Sequence, residues 1–267
     1  MKYYDSQAVV LSNEWVNDEY KHMVVFVGSE AATVEPGQFF NLMCPSTDKA
    51  TPFFRRPMST YFANSATGQI EFLYKVVGIG TEGLSTLQAQ QTFKMLGPLG
   101  HGFNLKPTDK HILVLGRGVG LATLAPLAEY AASKNVRVTA ILSAKDKERL
   151  MSQHRFADAK AAIIEVIDSD RSSAIDHVDA LIRDVHHQQP IDAFFTCGSK
   201  RIGKLLQQLA LELGIRGEVA LEQNMACGIG MCHACVIAIK DQAQTQLVSK
   251  KVCKDGPVFD IREIVYE

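Results

Sequence analysis

The chain of 267 residues contains no apolar run of about eighteen residues, so no membrane-spanning segment is expected. Its opening stretch, MKYYDSQAVVLSNEW, lacks the long apolar core of a signal peptide and is interrupted by Asp5 and Glu14; a cytoplasmic protein is expected. Neither sign of charge is in surplus. The net charge is −1, and no basic stripe with interleaved aromatics exists, which argues against nucleic acid as a partner. There is no internal repeat and no low-complexity linker, so a repeat architecture is excluded. Six cysteines in a chain of this kind do not read as a disulfide framework. What is present is apolar bulk: 46% of the residues are hydrophobic, enough for more than one core.

Three parts differ in rhythm. Residues 1–107 hold short β-branched or alternating runs, QAVVLS, KHMVVFV, QFFNLMC and QIEFLYKVV, separated by turn residues, which predicts a small β-barrel or sandwich. Residues 108–217 alternate strand-like runs (HILVLG, VRVTAIL, AAIIEVI, IDAFFTC) with helical stretches, the pattern of a doubly wound α/β domain with a parallel sheet. Residues 218–267 carry a cysteine cluster and a few short strands.

Four of the cysteines group as C-x4-C-x2-C, at Cys227, Cys232 and Cys235, with seventeen residues between Cys235 and Cys253. A zinc site usually shows two tight pairs. One tight triplet with a distant fourth thiol is the plant-type spacing for a [2Fe–2S] cluster. The loop must turn sharply and aim backbone N–H groups at sulfur, and Gly228 and Gly230 allow that. A structural zinc knot is the plainer alternative. His233 stands inside the loop, but a Rieske-type centre needs two histidines, so it reads as a residue facing solvent or flanking the ligands.

In the β part, Arg56, Pro57, Met58 and Ser59 form the motif RPMS. An arginine can pair with a phosphate through its planar fork, and a hydroxyl three positions on can meet a ribityl chain. Alone this is a weak signal. The strand Leu73, Tyr74, Lys75, Val76 leads to Gly80 and Thr81 at an expected helix start, a second seat for phosphate. Two such features point to a dinucleotide such as FAD.

In the α/β part, Gly116, Gly118 and Gly120 follow the strand HILVL and open a helix, as a nicotinamide dinucleotide requires. Many α/β folds have such a turn for packing alone. Arg117 interrupts the glycines, and its side chain could pair with a phosphate or crowd the site. No acid closes the second strand, whereas Ser143, Lys145 and Arg149 lie near its end, so NAD and NADP both stay open. Cys197, at the end of IDAFFTC, lies at the ligand-binding edge of the sheet or is a buried core thiol.

The ordered segments FRRPMS, LYKVVGIGTEGLS, MLGPLGHGF, LGRGVGLATLAPL, FTCGS, MACGIGMCHACVI and VCKDGPVF resemble the electron-transfer subunits of class B dihydroorotate dehydrogenases, within the ferredoxin–NADP reductase superfamily. The resemblance covers almost the whole chain. It implies a β-barrel holding FAD through Arg56, Ser59, Leu73–Val76 and Gly80–Thr81, an NAD(P)-binding domain, a [2Fe–2S] domain ligated by the four clustered cysteines, and Cys197 near the nicotinamide. It further implies a separate FMN-containing catalytic subunit in a two-plus-two heterotetramer, since 267 residues leave no room for a pyrimidine-oxidising barrel. The chain departs from the family at Arg117, at Cys197-Gly198-Ser199 and at Gln223-Asn224. Two alternatives follow: a reductase subunit serving a hydrogenase, an oxygenase or ferredoxin, or a redox sensor whose nicotinamide site is lost.

Overall fold

The computed structural model describes all residues except Met1, Gln242, Gln244 and Glu267. Its residues fall into two compact units: Met1–Gly102 with Gln223–Val236 and Lys251–Pro257, and Phe103–Glu222 with Ile237–Lys250 and Val258–Glu267. Along the chain the passages between units fall at 102/103, 222/223, 236/237, 250/251 and 257/258. Some fifty residues are too few to bury a core of their own, and the last part is shared between the two units.

The first unit is a seven-stranded antiparallel sheet: β1 (Tyr4–Trp15), β2 (Tyr20–Phe26), β3 (Phe39–Leu42), β4 (Arg56–Ser59), β5 (Phe62–Asn64), β6 (Gln69–Lys75) and β7 (Thr92–Leu99), with α1 (Gly78–Ser85) between the last two. The strand order is β4-β3-β7-β1-β2-β6-β5. The turn joining β1 to β2 is set by Asn17, whose Oδ1 accepts the N–H groups of Glu19 (2.9 Å) and Tyr20 (3.0 Å). Alternate residues point inward: Ala8 and Val10, Met23 and Val25, Ile70, Phe72 and Tyr74, Phe93 and Met95 make one core. The sheet curls because its two ends are nearly one strand. Between β4 and β5 lie only Thr60, whose N–H donates to Gln38 O (3.1 Å), and Tyr61, whose N–H donates to Glu71 O (2.9 Å). One end of the sheet thus hands directly to the other.

The second unit centres on a six-stranded sheet. Its elements are β8 (His111–Arg117), α2 (Gly120–Ser133), β9 (Arg137–Ala144), α3 (Gln153–Asp158), β10 (Ala162–Ile167), α4 (Ile175–Gln188), β11 (Ala193–Cys197), α5 (Lys200–Leu213) and β12 (Arg216–Ala220). The order is β10-β9-β8-β11-β12-β15, where β15 (Val258–Asp260) adds antiparallel to an otherwise parallel sheet. Strands β8 and β11 are buried nearly throughout, as a sheet covered on both faces demands. The order reverses between β8 and β11, which creates a crevice at their carboxyl ends. A two-stranded sheet, β13 (Val236–Lys240) with β14 (Leu247–Lys251), precedes the short α6 (Val252–Asp255). Among the described residues no helix is long and apolar enough to cross a membrane.

Candidate functional site

The four clustered thiols all lie in the first unit. Cys227 Sγ accepts the backbone N–H groups of Met231 (3.3 Å) and Cys232 (3.4 Å). Cys235 Sγ accepts the N–H of Cys253 (3.4 Å), and Cys235 O accepts the N–H of Val252 (3.1 Å), which returns the start of α6 to the loop. The loop needs its glycines. Gly228 (φ +73°) and Gly230 (φ +83°) adopt the left-handed conformation. A Cβ on Gly228 would lie 2.8 Å from Asn41 Nδ2, and one on Gly230 would lie 2.8 Å from Lys254 Cδ.

The thiols come in two neighbouring pairs, Cys227 with Cys232 and Cys235 with Cys253. Among the described residues no three His, Cys, Asp or Glu side chains are grouped to hold a single metal ion. A zinc knot would gather its ligands about one point. A two-iron rhomb takes two thiolates at each iron, which the two pairs can supply. Burial pushes the Cys227 thiol up, but the N–H groups of Cys232, Ile229 and Met231 outweigh it and bring the thiol down to about 6. Burial, and then the adjacent Cys235, push Cys253 up to about 12. Cys235 and Cys253 are buried, Cys227 is half-buried and Cys232 is exposed. His233 is exposed and has a positive φ.

The flavin candidates lie in the same unit. On β4, Arg56, Pro57, Met58 and Ser59 are half-buried and pair with Leu42, Asn41, Phe40 and Phe39 of β3. The strand is an end of the sheet order, where the missing N–H of Pro57 leaves no gap in a ladder. Arg56 Nη1 donates to Phe54 O (2.6 Å), fixing the guanidinium. A Cβ on Gly80 would fall 2.5 Å from Arg56 Nε, so the arginine and the start of α1 are adjacent. No side chain caps α1 and no acid occupies its first turn. Thr81 Oγ1 instead accepts the N–H of Val77 (2.6 Å). A guanidinium beside an open helix N-terminus suits a pyrophosphate. Leu73 and Tyr74 are core residues, while Lys75 pairs with Glu19 (2.8 Å) and the Val76 N–H donates to Glu19 O (2.9 Å). The Tyr74 hydroxyl donates to Asn13 Oδ1 (2.9 Å), and Asn13 Nδ2 donates to Leu84 O (2.9 Å) and Leu87 O (3.1 Å). The Tyr74 side chain therefore anchors the far end of α1, and only its main chain remains for a ligand.

Asn41 is a residue that motif reading passes over. It is fully buried on β3 opposite Pro57, and its Nδ2 donates to Ala226 O (3.3 Å) beside the first cysteine. Among the described residues its Oδ1 and Thr60 Oγ1 are buried without partners, two orphaned acceptors along the strand that carries RPMS and its neighbour. Nothing but an alternating strand pattern, with one polar residue where core is due, marks Asn41 in the sequence.

In the second unit the Gly118 N–H donates to Ser143 O (3.1 Å). Gly116 and Gly120 serve close approach. A Cβ on Gly116 would lie 2.8 Å from Leu124 Cδ1, and one on Gly120 would collide with Cys197 O. Cys197 is buried; that burial, then the charge of Glu222, push its thiol up to about 12, against a hydrogen bond from Thr123. The shift favours the neutral thiol. Arg117 does not crowd the glycine turn. It lies across the strand ends: Nη1 donates to Ser143 Oγ (3.1 Å), Ala144 O (3.3 Å) and Asp168 Oδ1 (3.0 Å), and Nη2 donates to Asp168 Oδ2 (2.6 Å). Asp168 was not singled out from sequence, because its partner lies 51 positions away.

The profile of the iron–sulfur cluster binding domain of dihydroorotate dehydrogenase B matches residues 222–265. Two similar curated proteins are dihydroorotate dehydrogenase B (NAD(+)) electron transfer subunits. That of Geobacillus sp. (strain WCH70) is 34% identical over 86% of each chain, and that of Desulforamulus reducens is 31% identical over 87% of each. Among solved structures, an NADH-dependent reduced ferredoxin–NADP oxidoreductase superposes with a TM-score of 0.79 at 24% identity, covering 97% of this chain and 89% of its own. The ferredoxin reductase of carbazole 1,9a-dioxygenase superposes at 0.66 and 17%, covering 80% and 67%. These two likenesses concern the fold.

Proposed function

The chain belongs to the family of dihydroorotate dehydrogenase B (NAD(+)) electron transfer subunits, and on that premise we propose that it carries electrons from an FMN-containing, dihydroorotate-oxidising subunit to NAD⁺, in pyrimidine biosynthesis. The observation that carries this reading is the seating of two cysteine pairs in the same compact unit as the Arg56–Gly80 cradle. When bound, FAD supplies the exchange between single electrons and the electron pair of a hydride.

The residues divide the work. Cys227, Cys232, Cys235 and Cys253 hold a [2Fe–2S] cluster, and the N–H groups already aimed at Cys227 and Cys235 offset part of its negative charge. Cys232 and Met231 leave one side of the loop open to the catalytic subunit; Met231 is 77% exposed. Arg56, the main chain from Leu73 to Val76, and Gly80–Thr81 bind FAD. Gly116, Gly118 and Gly120 would admit the nicotinamide dinucleotide at the strand ends, where Cys197 is buried. The assembly is a two-plus-two heterotetramer in the cytoplasm, where six unpaired cysteines stay reduced.

The test is anaerobic. The protein copurified with its partner should show flavin absorption and about two iron and two sulfide per chain, and stoichiometric NADH should bleach the flavin band. Colourless protein with zinc as its metal would overturn the cluster assignment. A flavin that NADH leaves oxidised would favour a redox sensor.

A further inference from the structure

The α/β unit contains a carboxylate that the glycine turn itself reaches out to hold. Asp168 follows directly on β10, and its N–H donates to Ala144 O (3.2 Å) at the end of β9. Arg117 is the last residue of β8. Its guanidinium spans the carboxyl ends of β8, β9 and β10 and grips Asp168 with both terminal nitrogens. Ser173 donates its hydroxyl to Asp168 Oδ1, and Arg201 Nη2 donates to Ser173 O (3.4 Å) from the first turn of α5. The hydrogen bonds from Arg117, then that from Ser173, hold the Asp168 carboxyl below the ordinary carboxylate range, so it is ionised at neutral pH.

We propose that Asp168, positioned by Arg117, selects an adenosine ribose with a free 2′-hydroxyl and rejects one carrying a 2′-phosphate. This rests on the reading that a nicotinamide dinucleotide binds at this edge of the sheet. Ligands of open α/β sheets lie outside the carboxyl ends of the strands, and a carboxylate there accepts from the ribose hydroxyl. Strand β9 ends in Ser143 and Ala144, both buried, and supplies no acid. Asp168 supplies it from the next strand. A carboxylate has about four acceptor sites; the Arg117 fork takes two and Ser173 one, and the Asp168 side chain is still 42% exposed. It therefore has capacity left for one hydroxyl donor. A 2′-phosphate donates nothing at neutral pH and sets like charge against like. Arg117, one cation that could offset this, is already engaged by Asp168.

The same geometry predicts what happens when the acid goes. Asp168→Asn keeps the shape, removes the charge and releases the Arg117 fork, which can then take a phosphate in two parallel bonds. The experiment uses the cofactor-loaded protein. Equilibrium binding of NAD⁺, NADP⁺, AMP and 2′-phospho-AMP is measured by calorimetry, and anaerobic flavin reduction by NADH and NADPH is measured beside it. The wild type should favour NAD⁺ over NADP⁺ and AMP over 2′-phospho-AMP. Asp168→Asn should shift both ratios toward the phosphorylated ligand by about ten- to a hundredfold, the range of a charge-assisted bond. The double variant Arg117→Ala/Asp168→Asn should lose about tenfold or more of that gain, with flavin and cluster spectra unchanged. Ratios that stay within about twofold of the wild type in Asp168→Asn overturn the proposal. So does an undiminished gain in the double variant. A wild type that binds none of the four ligands overturns it together with the nicotinamide reading, a result distinct from the other two.

Discussion

Cys232 is the exposed member of the four clustered thiols, and Cys227 receives two of the N–H donors that steady the loop. Replacing Cys232 with serine should abolish the cluster signal in electron paramagnetic resonance while FAD remains bound; an unchanged spectrum would remove it from the ligand set. Arg56 is the complementary case. Its guanidinium is oriented by Phe54 O and lies against Gly80. Arg56→Ala should weaken FAD retention by about 1.5–3 kcal/mol, the scale of a hydrogen bond to a charged group. Gel filtration at low protein concentration reads it directly, and full flavin occupancy afterwards would count against the contact. These residues are legible as candidates because their pattern is local: a motif of four, a loop of nine. Asp168 and Asn41 are not, because each matters through a partner far along the chain, Arg117 in one case and Ala226 in the other.

At the scale of elements, strand and helix rhythm carried most of the fold. The alternation of β2 and β6 and the unbroken apolar run of β8 follow from how many faces each strand buries. The closing of the β sheet was less visible, since it depends on Thr60 and Tyr61 bonding to opposite ends of the sheet. The cysteine loop packs its glycines against Asn41 and Lys254, so Gly228→Ala should lower iron content and leave the α/β unit folded; an iron-to-protein ratio equal to that of the wild type would contradict this. On β12, burial raises the Glu218 carboxyl, ahead of the opposing effects of the Asn104 N–H and Arg216. A folded pKa above the unfolded one, about 4.3, gives stability that is complete below the unfolded value and is lost as pH rises through the folded value. Glu218→Gln, which still accepts from Asn104, should raise the urea midpoint at pH 7 and match the wild type near pH 4. A gain that persists at low pH would show that charge burial is not its cause.

For the whole molecule, the division into two units cuts across the order of the chain. Motif spacing gives no sign of which unit the cysteines fold against, because seventeen intervening residues between Cys235 and Cys253 say nothing of packing. The structure puts all four thiols with the barrel strands. Flavin retention and cluster retention should therefore respond together to urea, with nicotinamide binding free to fail at a different concentration. Absorbance at the flavin and cluster bands, followed beside NAD⁺ titrations, checks this, and loss of the cluster well before the flavin would refute it.

That return of the C-terminal segment to the N-terminal unit has a consequence for biogenesis. A ribosome releases the barrel strands, and then β8 to β12 of the α/β unit, before any of the four clustered cysteines has been synthesised. Four-thiol ligation therefore has to wait until Cys253 has been synthesised. A nascent chain stalled short of Cys253 offers the assembly machinery three thiols where four are required.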